Sequence, residues 1–298
     1  MKIDDIPLKK ITKTIKKAAK KVYGNKARIG KKGRTSTAIY IRITVIAYLV
    51  LYKLTPKRLA AELREDRKLR EFLELPWPIG DRTIREWRKK LGKLVRRLIR
   101  KTFEVLARVR KVKKDKAIVD TTGFSRGRAS KHYEARIGRK KKMYAKALAI
   151  YSVRVDAVYD IGVDYDSKHD TKMLEGKVDD IVESGFFDGV IGDKGFDSGP
   201  LMEKFLKHGV QPYIAVRGGK LEPRGGVRLI SRRNFESLRA GAGNVGSLVE
   251  SLFGSVKSLC GEVVYSHCLE GFATEIAVRF LAYNVAVIIK LKLRRLEI

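Results

Sequence analysis

Residues 117–124 read AIVDTTGF, a short apolar run that ends in the carboxylate of Asp120. The same pattern returns at residues 188–196 in DGVIGDKGF, where Asp193 follows the apolar run. A short apolar run bounded by turn residues is typical of a strand that is buried on both faces of a sheet. The two stretches therefore predict strands that each hold an aspartate rigidly at the rim of a core.

A third acid, Glu250, lies in a helical pattern that reads LVESLFGSVK at residues 248–257. Apolar residues recur there at four-residue spacing, which indicates a helix with one buried face. Three converging carboxylates repel one another unless a cation lies between them. We therefore predict a metal site formed by Asp120, Asp193 and Glu250.

The net charge of the chain is +33, from 66 Lys and Arg against 33 Asp and Glu. A heat-adapted surface is one explanation, because 33% of the residues are charged and Gln211 is the only glutamine. Heat adaptation adds Glu together with Lys, however, and leaves the excess of positive charge unexplained. The usual partner is therefore predicted to be a polyanion, most commonly DNA or RNA, and double-stranded DNA is the partner that we predict.

The pattern around the three acids alternates strands and helices. The predicted strands are residues 117–120, 143–153, 157–164, 189–192 and 212–216, and the predicted helices are residues 170–184 and 199–208. Three strands in a meander, followed by strand, helix and strand, are the order of a ribonuclease-H-like domain. The predicted fold class is therefore α/β, with a ribonuclease-H-like mixed sheet flanked by helices and preceded by an all-α N-terminal domain.

The composition divides the chain into three parts. A basic arm over residues 1–37 is expected to be mobile when free, a helical DNA-binding domain follows over 38–112, and the catalytic domain occupies 113–298. Two basic loops, at residues 123–146 and 217–243, interrupt the catalytic domain beside predicted metal ligands. Long loops inside compact domains are usually functional or disordered. We predict phosphate contacts for both loops, with a solvated hairpin tip as the alternative for the first.

Residues 83–90, which read TIREWRKK, allow two interpretations. As a recognition helix, the stretch presents Arg85 and Arg88 to a DNA groove. As a packing helix, it buries Ile84 and Trp87 and leaves its arginines in solvent. The sequence does not decide between the two.

The remaining predicted DNA contacts lie beside the metal site or in the basic loops. Lys257 stands seven residues after Glu250, about two helical turns away on the same face, where its ammonium can hold a phosphate. The others are Lys194, Arg126, Arg128, Arg136, Arg139, Lys140, Lys141, Lys142, Arg232, Arg233 and Arg239.

The cysteines and the apolar windows help to predict the cellular compartment of the protein. Cys260 and Cys268 are too few for a disulfide framework. A zinc site that adds His267 is disfavoured, because it lacks a fourth ligand and a closely spaced cysteine pair. The most apolar windows, residues 39–54 and 276–291, are interrupted by polar residues, and neither is predicted to span a membrane. We expect a soluble, nucleoid-associated protein of the cytoplasm without a signal peptide.

Acidic residues between 156 and 170 could indicate a calcium loop, but their spacing lacks the glycine and the final glutamate of that motif. Most of them are expected at turns and strand ends. Asp170 is the exception, because together with Thr121 and His169 it is predicted to support the metal ligands. For the metal itself, two ions about 3.5–4 Å apart can activate a water or hydroxyl and stabilise the leaving oxygen of a phosphodiester. Oxygen ligands suit Mg²⁺, so the predicted cofactor is two Mg²⁺ or Mn²⁺ ions.

The three acidic stretches resemble the acid motifs of the DDE transposases of prokaryotic insertion sequences. The motif VDTTGF holds the first acid, GDKGFDS holds the second, and VESLFGSVK resembles a Tyr-Arg-Glu-Lys type of third motif that ends at Lys257. The pair His169-Asp170 resembles the His-Asp pair of that family, and residues 59–91 resemble its N-terminal helical region. The resemblance spans about residues 38–290. It implies an archaeal source, a ribonuclease-H-like catalytic domain and a metal-binding triad made by the three acids.

Two positions depart from the family signature. Gly243 and Gly246 stand where the family has Tyr and Arg before the glutamate. The chain thereby lacks an arginine that contacts phosphate in the family. Arg233 or Arg239 is expected to substitute for it.

The predicted activity is that of a transposase that hydrolyses the DNA ends of its element and uses the freed 3′-hydroxyl to attack target DNA. Two alternatives stay open: a related nuclease that cuts without joining, and a catalytically impaired DNA-binding protein of transposon origin. A His-x-His nickase is excluded, because His132, His169, His208 and His267 are isolated in the sequence. A serine or tyrosine recombinase would leave the three acid motifs unexplained. Since two element ends are handled together, a homodimer or larger assembly on DNA is expected.

Overall fold

The structure, a computed structural model, describes residues 3–25, 37–127, 144–165, 168–217, 226–242 and 246–294. The chain divides into two compact units. The helical unit comprises Met1–Thr102, Ser125–Lys142 and Ser255–Ile298, and the sheet unit comprises Phe103–Phe124 and Met143–Gly254. A mixed sheet flanked by helices, with a helical N-terminal region, confirms the predicted fold class and is consistent with a ribonuclease-H-like fold.

The helical unit draws its elements from both ends of the chain. From the N-terminal part come α1 (Leu8–Tyr23), α2 (Ile39–Leu51), α3 (Pro56–Glu65), α4 (Arg67–Leu73), α5 (Asp81–Lys90) and the first part of α6 (Gly92–Val109). From the C-terminal part come the short strand β6 (Val263–Val264) and the long helix α12 (Leu269–Arg294). Strand β6 runs parallel to Ser125 and Arg126, with which it pairs.

Helix α1 corrects the prediction of a mobile arm for residues 8–23, while residues 26–36 of that arm lie outside the described residues. Its Ile11, Ile15 and Ala19 recur every four residues and are fully buried, and the helix packs against α2 and α12. Most of its lysines point to solvent on the other side. An amphipathic helix of this kind gains its stability from the buried stripe, which the prediction from charge alone overlooked.

Helix α12 forms the core of the helical unit, where it packs against α1, α2 and α5. Over Leu269–Leu293 it is long and apolar enough to cross a membrane, but 89% of its most apolar window is buried inside the protein. The amide of Asn284, fully buried, donates to the hydroxyl of Thr102 at 3.2 Å. Because of this packing, Ser255–Ile298 groups with the N-terminal helices, whereas the sequence assigned it to the catalytic domain.

Within the described residues, the sheet unit contains five strands in the order β3-β2-β1-β4-β5. They are β1 (Asp115–Arg126, whose last two residues belong to the helical unit), β2 (Tyr144–Ser152), β3 (Ala157–Tyr165), β4 (Phe187–Gly192) and β5 (Gln211–Ile214). Strands β2 and β3 are antiparallel, whereas β4 is parallel to both β1 and β5. Each predicted strand is therefore present. The helices of this unit are the end of α6, α7 (Asp170–Glu175), α8 (Val178–Glu183), α9 (Gly199–Lys207), α10 (Gly226–Ala242) and the start of α11 (Gly246–Cys260).

The centre of the sheet is buried on both faces, as the apolar runs predict. Ala117, Val119 and Val190 are at most 1% exposed. Gly189 lets β4 approach β5 closely, because a β-carbon there would lie 2.8 Å from the ring of Tyr213. This tight central core fixes the middle of β1, which carries Asp120, and the end of β4, which Asp193 follows.

A buried ion pair divides the predicted helix 170–184 into α7 and α8. The ammonium of Lys177 lies between the two helices and contacts Asp160 of β3 at 3.0 Å and Asp180 at 3.1 Å. The Asp160 carboxylate is fully buried. A buried carboxylate is tolerated only with a partner, and the break in the helix supplies one.

Most of the predicted basic loop 217–243 that the structure describes is helical, since α10 covers Gly226–Ala242. Two contacts tie α10 to the sheet side of the unit. The guanidinium of Arg228 pairs with Asp197 at 2.6 Å. The hydroxyl of Ser231 donates to the carbonyl of Ile214 at 3.0 Å and accepts the N–H of the same residue at 2.9 Å. The prediction of a loop was therefore wrong for this part of the segment, because its glycine content concealed a helix.

Candidate active site

Asp120 and Asp193 lie next to each other at one edge of the sheet. Val119 of β1 is the register partner of Gly192 of β4, and each aspartate directly follows one of these partners. Because the two strands are parallel and in register up to this pair, the residues that follow it bring their carboxylates to one place. The structure thus brings together the first two predicted metal ligands.

The carboxyl group of Asp120 is half-buried and accepts the backbone N–H of Thr121 at 2.7 Å. Burial disfavours its charged form and is the main cause that raises the pKa of Asp120 to about 6. The N–H of Thr121 acts in the opposite direction, while the negative charges of Asp193, Asp170 and Glu250 raise the pKa further. Four carboxyl groups therefore influence one another at this edge of the sheet.

Asp193 begins a short 3-10 turn over Lys194–Phe196, in which its Oδ1 accepts the N–H of Gly195 at 2.9 Å. A β-carbon at Gly195 would lie 2.9 Å from Oδ1 of Asp193 and 3.3 Å from Oδ2 of Asp170. The turn therefore holds both carboxylates close to one point, where only a glycine fits.

Asp170 is the fourth carboxylate of the group. Its Oδ1 accepts the ammonium of Lys146 at 3.0 Å and the hydroxyl of Thr121 at 3.3 Å. Thr121 thus contacts Asp120 through its backbone and Asp170 through its side chain. These contacts agree with the supporting role predicted for Thr121 and Asp170. His169 lies apart, exposed, with its Nδ1 at 2.8 Å from the hydroxyl of Thr171.

Glu250 is exposed on α11, next to Val249, which lines the same cleft as the two aspartates. Its charge contributes to the raised pKa of Asp120, so the helix brings the third predicted ligand to the group. Lys257 lies half-buried on the same helix. It belongs to the helical unit, whereas Glu250 belongs to the sheet unit.

A cleft of about 440 Å³ opens at Asp120 and Asp193. Its walls are mostly apolar, and Lys194 and Arg239 are its positively charged side chains. The lining residues are Ile118, Val119, Asp120, Ile191, Gly192, Asp193, Lys194, Ala215, Val216, Phe235, Leu238, Arg239 and Val249. Two of the predicted DNA contacts therefore share a cleft with two of the predicted metal ligands.

The other predicted DNA contacts that the structure describes do not line this cleft. Arg232 pairs with Glu236 on α10 at 2.9 Å, and Arg233 is exposed on the same helix. The guanidinium of Arg126 lies over the ring of Phe272, 4.9 Å from its centre, in the helical unit. The predicted contacts Arg128, Arg136, Arg139, Lys140, Lys141 and Lys142, and the departure at Gly243, lie outside the described residues.

The two arginines of α5 have different surroundings. Arg88 is 5% exposed and donates to the carboxylate of Glu275 at 2.8 Å, inside the helical unit. Arg85 is about half exposed and pairs with Asp81 of the same helix at 2.9 Å. Ile84 is fully buried, as expected of a packing helix. A groove-reading role for α5 stays a prediction, and Arg85 is the better placed of the two for it.

The donor set at the sheet edge fits a hard divalent cation. In the described residues, no three His, Cys, Asp or Glu side chains already lie close enough together to hold a metal ion. Asp120 and Asp193 each use Oδ1 for a backbone N–H, and in the described part of the chain Oδ2 of neither accepts a hydrogen bond. Oxygen donors with open positions are the ligands that Mg²⁺ and Mn²⁺ prefer.

The alternative metal sites fit less well. Burial raises the pKa of the Cys260 thiol to about 12, which disfavours the thiolate that zinc requires. Three acids of the calcium alternative are paired with bases, and Asp166 lies outside the described residues. These pairs are Asp156 with Arg110, Asp160 with Lys177, and Asp164 with Lys168.

Asp197, four residues after Asp193 in GDKGFDS, is a supporting residue that was not among the predicted site residues. Its side chain is 4% exposed and binds the guanidinium of Arg228 at 2.6 Å. It also accepts the backbone N–H of Arg217 at 2.7 Å. Asp197 thus ties the segment after the second acid to α10. The acid was visible in the sequence, but its partner lies 31 residues away.

Comparison with known families identifies the part of the chain that contains these residues. The family model described as Transposase DDE domain matches residues 111–285, more than half of the chain, and the match includes all three predicted metal ligands. No curated protein and no solved structure matches the chain significantly. The family predicted from the acidic motifs is confirmed, while the archaeal source and the type of third motif stay predictions. The chain belongs to the family of transposases with a DDE domain.

Proposed function

We propose that this transposase cleaves the DNA ends of an insertion element and joins the freed 3′-hydroxyl to target DNA. Membership of the family makes the chain an enzyme that acts on DNA and uses divalent metal ions. The observation that carries the proposal is the register of β1 and β4, which brings Asp120 beside Asp193. The influence of Glu250 on the pKa of Asp120 supports the same triad.

In this proposal, Asp120, Asp193 and Glu250 hold two Mg²⁺ or Mn²⁺ ions through carboxylate oxygens. Such ions, when bound, activate a water or a 3′-hydroxyl and stabilise the leaving oxygen. Thr121 and Gly195 each donate a backbone N–H to one oxygen of an aspartate. These hydrogen bonds fix the carboxylates and direct the second oxygen of each towards the cleft.

Positive side chains in the cleft are suited to the phosphate. Lys194 and Arg239 line it together with Asp120 and Asp193. A guanidinium can contact two non-bridging oxygens, and an ammonium adds a point charge. Arg239 can in this way take over from the family arginine that Gly246 replaces. No side chain of the triad is a nucleophile, so we expect direct attack at phosphorus without a covalent protein–DNA intermediate.

The test is incubation of the full chain with DNA that carries both element ends, a supercoiled target plasmid, and Mg²⁺ or Mn²⁺. Joined products support the proposal. Cut products without joining favour the related nuclease, and bound but intact DNA favours the impaired binding protein. EDTA serves as the control, because chelation is expected to abolish cutting and joining. Sedimentation with and without element ends tests the proposed dimer, and imaging of a tagged chain tests the proposed association with the nucleoid.

A further inference from the structure

The helical unit contains a cleft of its own, of about 430 Å³. It lies where the turn between α2 and α3, helix α5 and the segment between β6 and α12 meet. Five of its lining residues are cationic: Lys53, Lys57, Arg58, Arg85 and Arg88. None of the described residues that line it is acidic. The cleft is therefore strongly electropositive.

The positive charge of this cleft is only partly offset. Arg58 pairs with Glu62 at 3.1 Å, and Arg85 pairs with Asp81 at 2.9 Å. Both pairs lie on the surface, where an ion pair is weak and easily exchanged. Lys57 has no acidic partner among the described residues. Its ammonium is available to an incoming anion.

The N-terminus of α3 opens into the same cleft. Thr55 caps this ten-residue helix by accepting the N–H of Arg58 at 3.2 Å, and Pro56 has no N–H to satisfy. The N–H of Lys57 has no acceptor in the described part of the chain. A helix N-terminus carries partial positive charge and unpaired donors, which together favour an anion.

Arg88 adds an independent sign of a missing acceptor. Its side chain is 6% exposed, and it contacts Glu275 through Nη1. Its Nε is buried and has no hydrogen-bond partner among the described residues. Buried donors in native proteins are nearly always satisfied, so an unpaired one on a residue that lines the cleft is consistent with an acceptor supplied by a bound ligand.

We infer that this cleft binds a phosphate of the DNA backbone and gives the helical unit a DNA contact of its own. The inference rests on the proposed function only for the identity of the ligand, since DNA is the polyanion on which the enzyme acts. A helix N-terminus combined with guanidinium and ammonium groups suits an anion with several oxygens. The volume of the cleft exceeds that of a single phosphate group, as expected if the phosphate belongs to a nucleic-acid backbone.

The test removes three exposed cations of the cleft together. The cleft variant carries Lys57→Gln, Arg58→Gln and Arg85→Gln. The matched control carries Arg64→Gln, Arg67→Gln and Lys68→Gln, which remove three exposed cations from α3 and α4 outside the cleft. Binding to a short duplex is measured in EDTA over a range of salt concentrations. Thermal unfolding of both variants establishes that they fold, and Lys57→Gln alone serves if the triple variant does not.

The cleft variant is expected to bind DNA about tenfold more weakly and to lower the salt slope by about one, the contribution of one phosphate contact. The control is expected to keep the wild-type slope. Equal slopes for the two variants would overturn the inference. Stabilisation of the wild type, but not of the cleft variant, by millimolar inorganic phosphate with equal DNA slopes would assign the cleft to a free phosphate and also overturn it.

A failure of the proposed function can be distinguished from a failure of the cleft inference. If the wild type binds DNA but neither cuts nor joins element ends in Mg²⁺, the proposed function is wrong and the cleft is still tested by the salt slopes. If the wild type cuts and joins and the slopes are equal, only the cleft is wrong.

Discussion

The Oδ1 of Asp193 accepts the backbone N–H of Gly195 at 2.9 Å, and this hydrogen bond fixes the carboxylate at the end of β4. The second oxygen of the group accepts no hydrogen bond in the described part of the chain. A structural role and the proposed catalytic role thus share one side chain. The two roles can be separated, because an asparagine keeps the acceptor oxygen and loses only the charge.

Asp193→Asn is expected to reduce cleavage at least about a hundredfold, since loss of a residue that only supports a metal ligand already costs 10- to 100-fold. DNA binding is expected to stay the same or become tighter, because one negative charge is removed. Cleavage and DNA affinity are measured in parallel. The control is Asp188→Asn, an exposed aspartate of the same strand, which should retain activity. Normal cleavage by Asp193→Asn would show that the triad is misassigned.

Gly195→Ala is expected to lower metal affinity and cleavage about tenfold or more, because it disturbs the support of a ligand. The new methyl group would lie 2.9 Å from Asp193 and 3.3 Å from Asp170, so at least one carboxylate must move. The control is Gly199→Ala at the start of α9, where a β-carbon meets nothing within 4 Å. Titration with Mn²⁺ measures the affinity. Equal affinities in the two variants would mean that the carboxylates near Gly195 do not bind the metal.

The edge of the sheet could be predicted because its information is local. An apolar run predicts a buried strand, and the acid that follows it is predicted to lie beside the core; strand β1 nevertheless continues past Asp120 to Arg126. Glu250 and Asp170 could be named as candidates from the sequence, but their places depend on contacts between distant segments. The salt bridge of Asp197 with Arg228 illustrates the limit, since nothing in either local sequence indicates the other.

Helices α1 and α10 were not predicted from the sequence, and the reason is the same for both. Charge dominates residues 8–23 and glycine is frequent over residues 217–243, and both compositions suggest irregular structure. In α1 a stripe of three apolar side chains outweighs the repulsion of the lysines. In α10 the hydroxyl of Ser231 and the guanidinium of Arg228 attach the helix to the rest of the unit. Tertiary contacts therefore decide both segments.

Lys177→Met is expected to destabilise the protein by about 3 kcal/mol, because it removes the ammonium that lies 3.0 Å from the buried Asp160 carboxylate. The control is Lys172→Met on α7, whose pair with Glu175 is exposed and should contribute little. Urea unfolding gives the free energies. Adding Asp160→Asn to Lys177→Met should recover part of the lost free energy of unfolding, since it removes the buried negative charge that Lys177 balances in the wild type. No loss of stability in Lys177→Met would mean that the pair is not buried in solution.

Binding of divalent metal is expected to depend on pH through Asp120. Its pKa is raised from the ordinary value of 3.8 to about 6, so the folded, metal-free protein favours the neutral acid. This group therefore favours folding at pH values below about 4, and its contribution is lost as the pH rises through 6. A divalent ion binds the charged form and competes with the proton. Mn²⁺ should accordingly raise the unfolding temperature more at pH 8 than at pH 5.

The measurement is the unfolding temperature in EDTA and in Mn²⁺ at four pH values from 5 to 8. Asp120→Asn serves as the control, because it removes the titrating group while keeping its shape. In the wild type the stabilisation by Mn²⁺ should grow steeply between pH 5 and 7, whereas in Asp120→Asn it should be small throughout. Equal stabilisation of the wild type at pH 5 and pH 8 would mean that Asp120 does not bind the ion, because a carboxylate with a pKa of about 6 cannot ligate a metal equally well at both values.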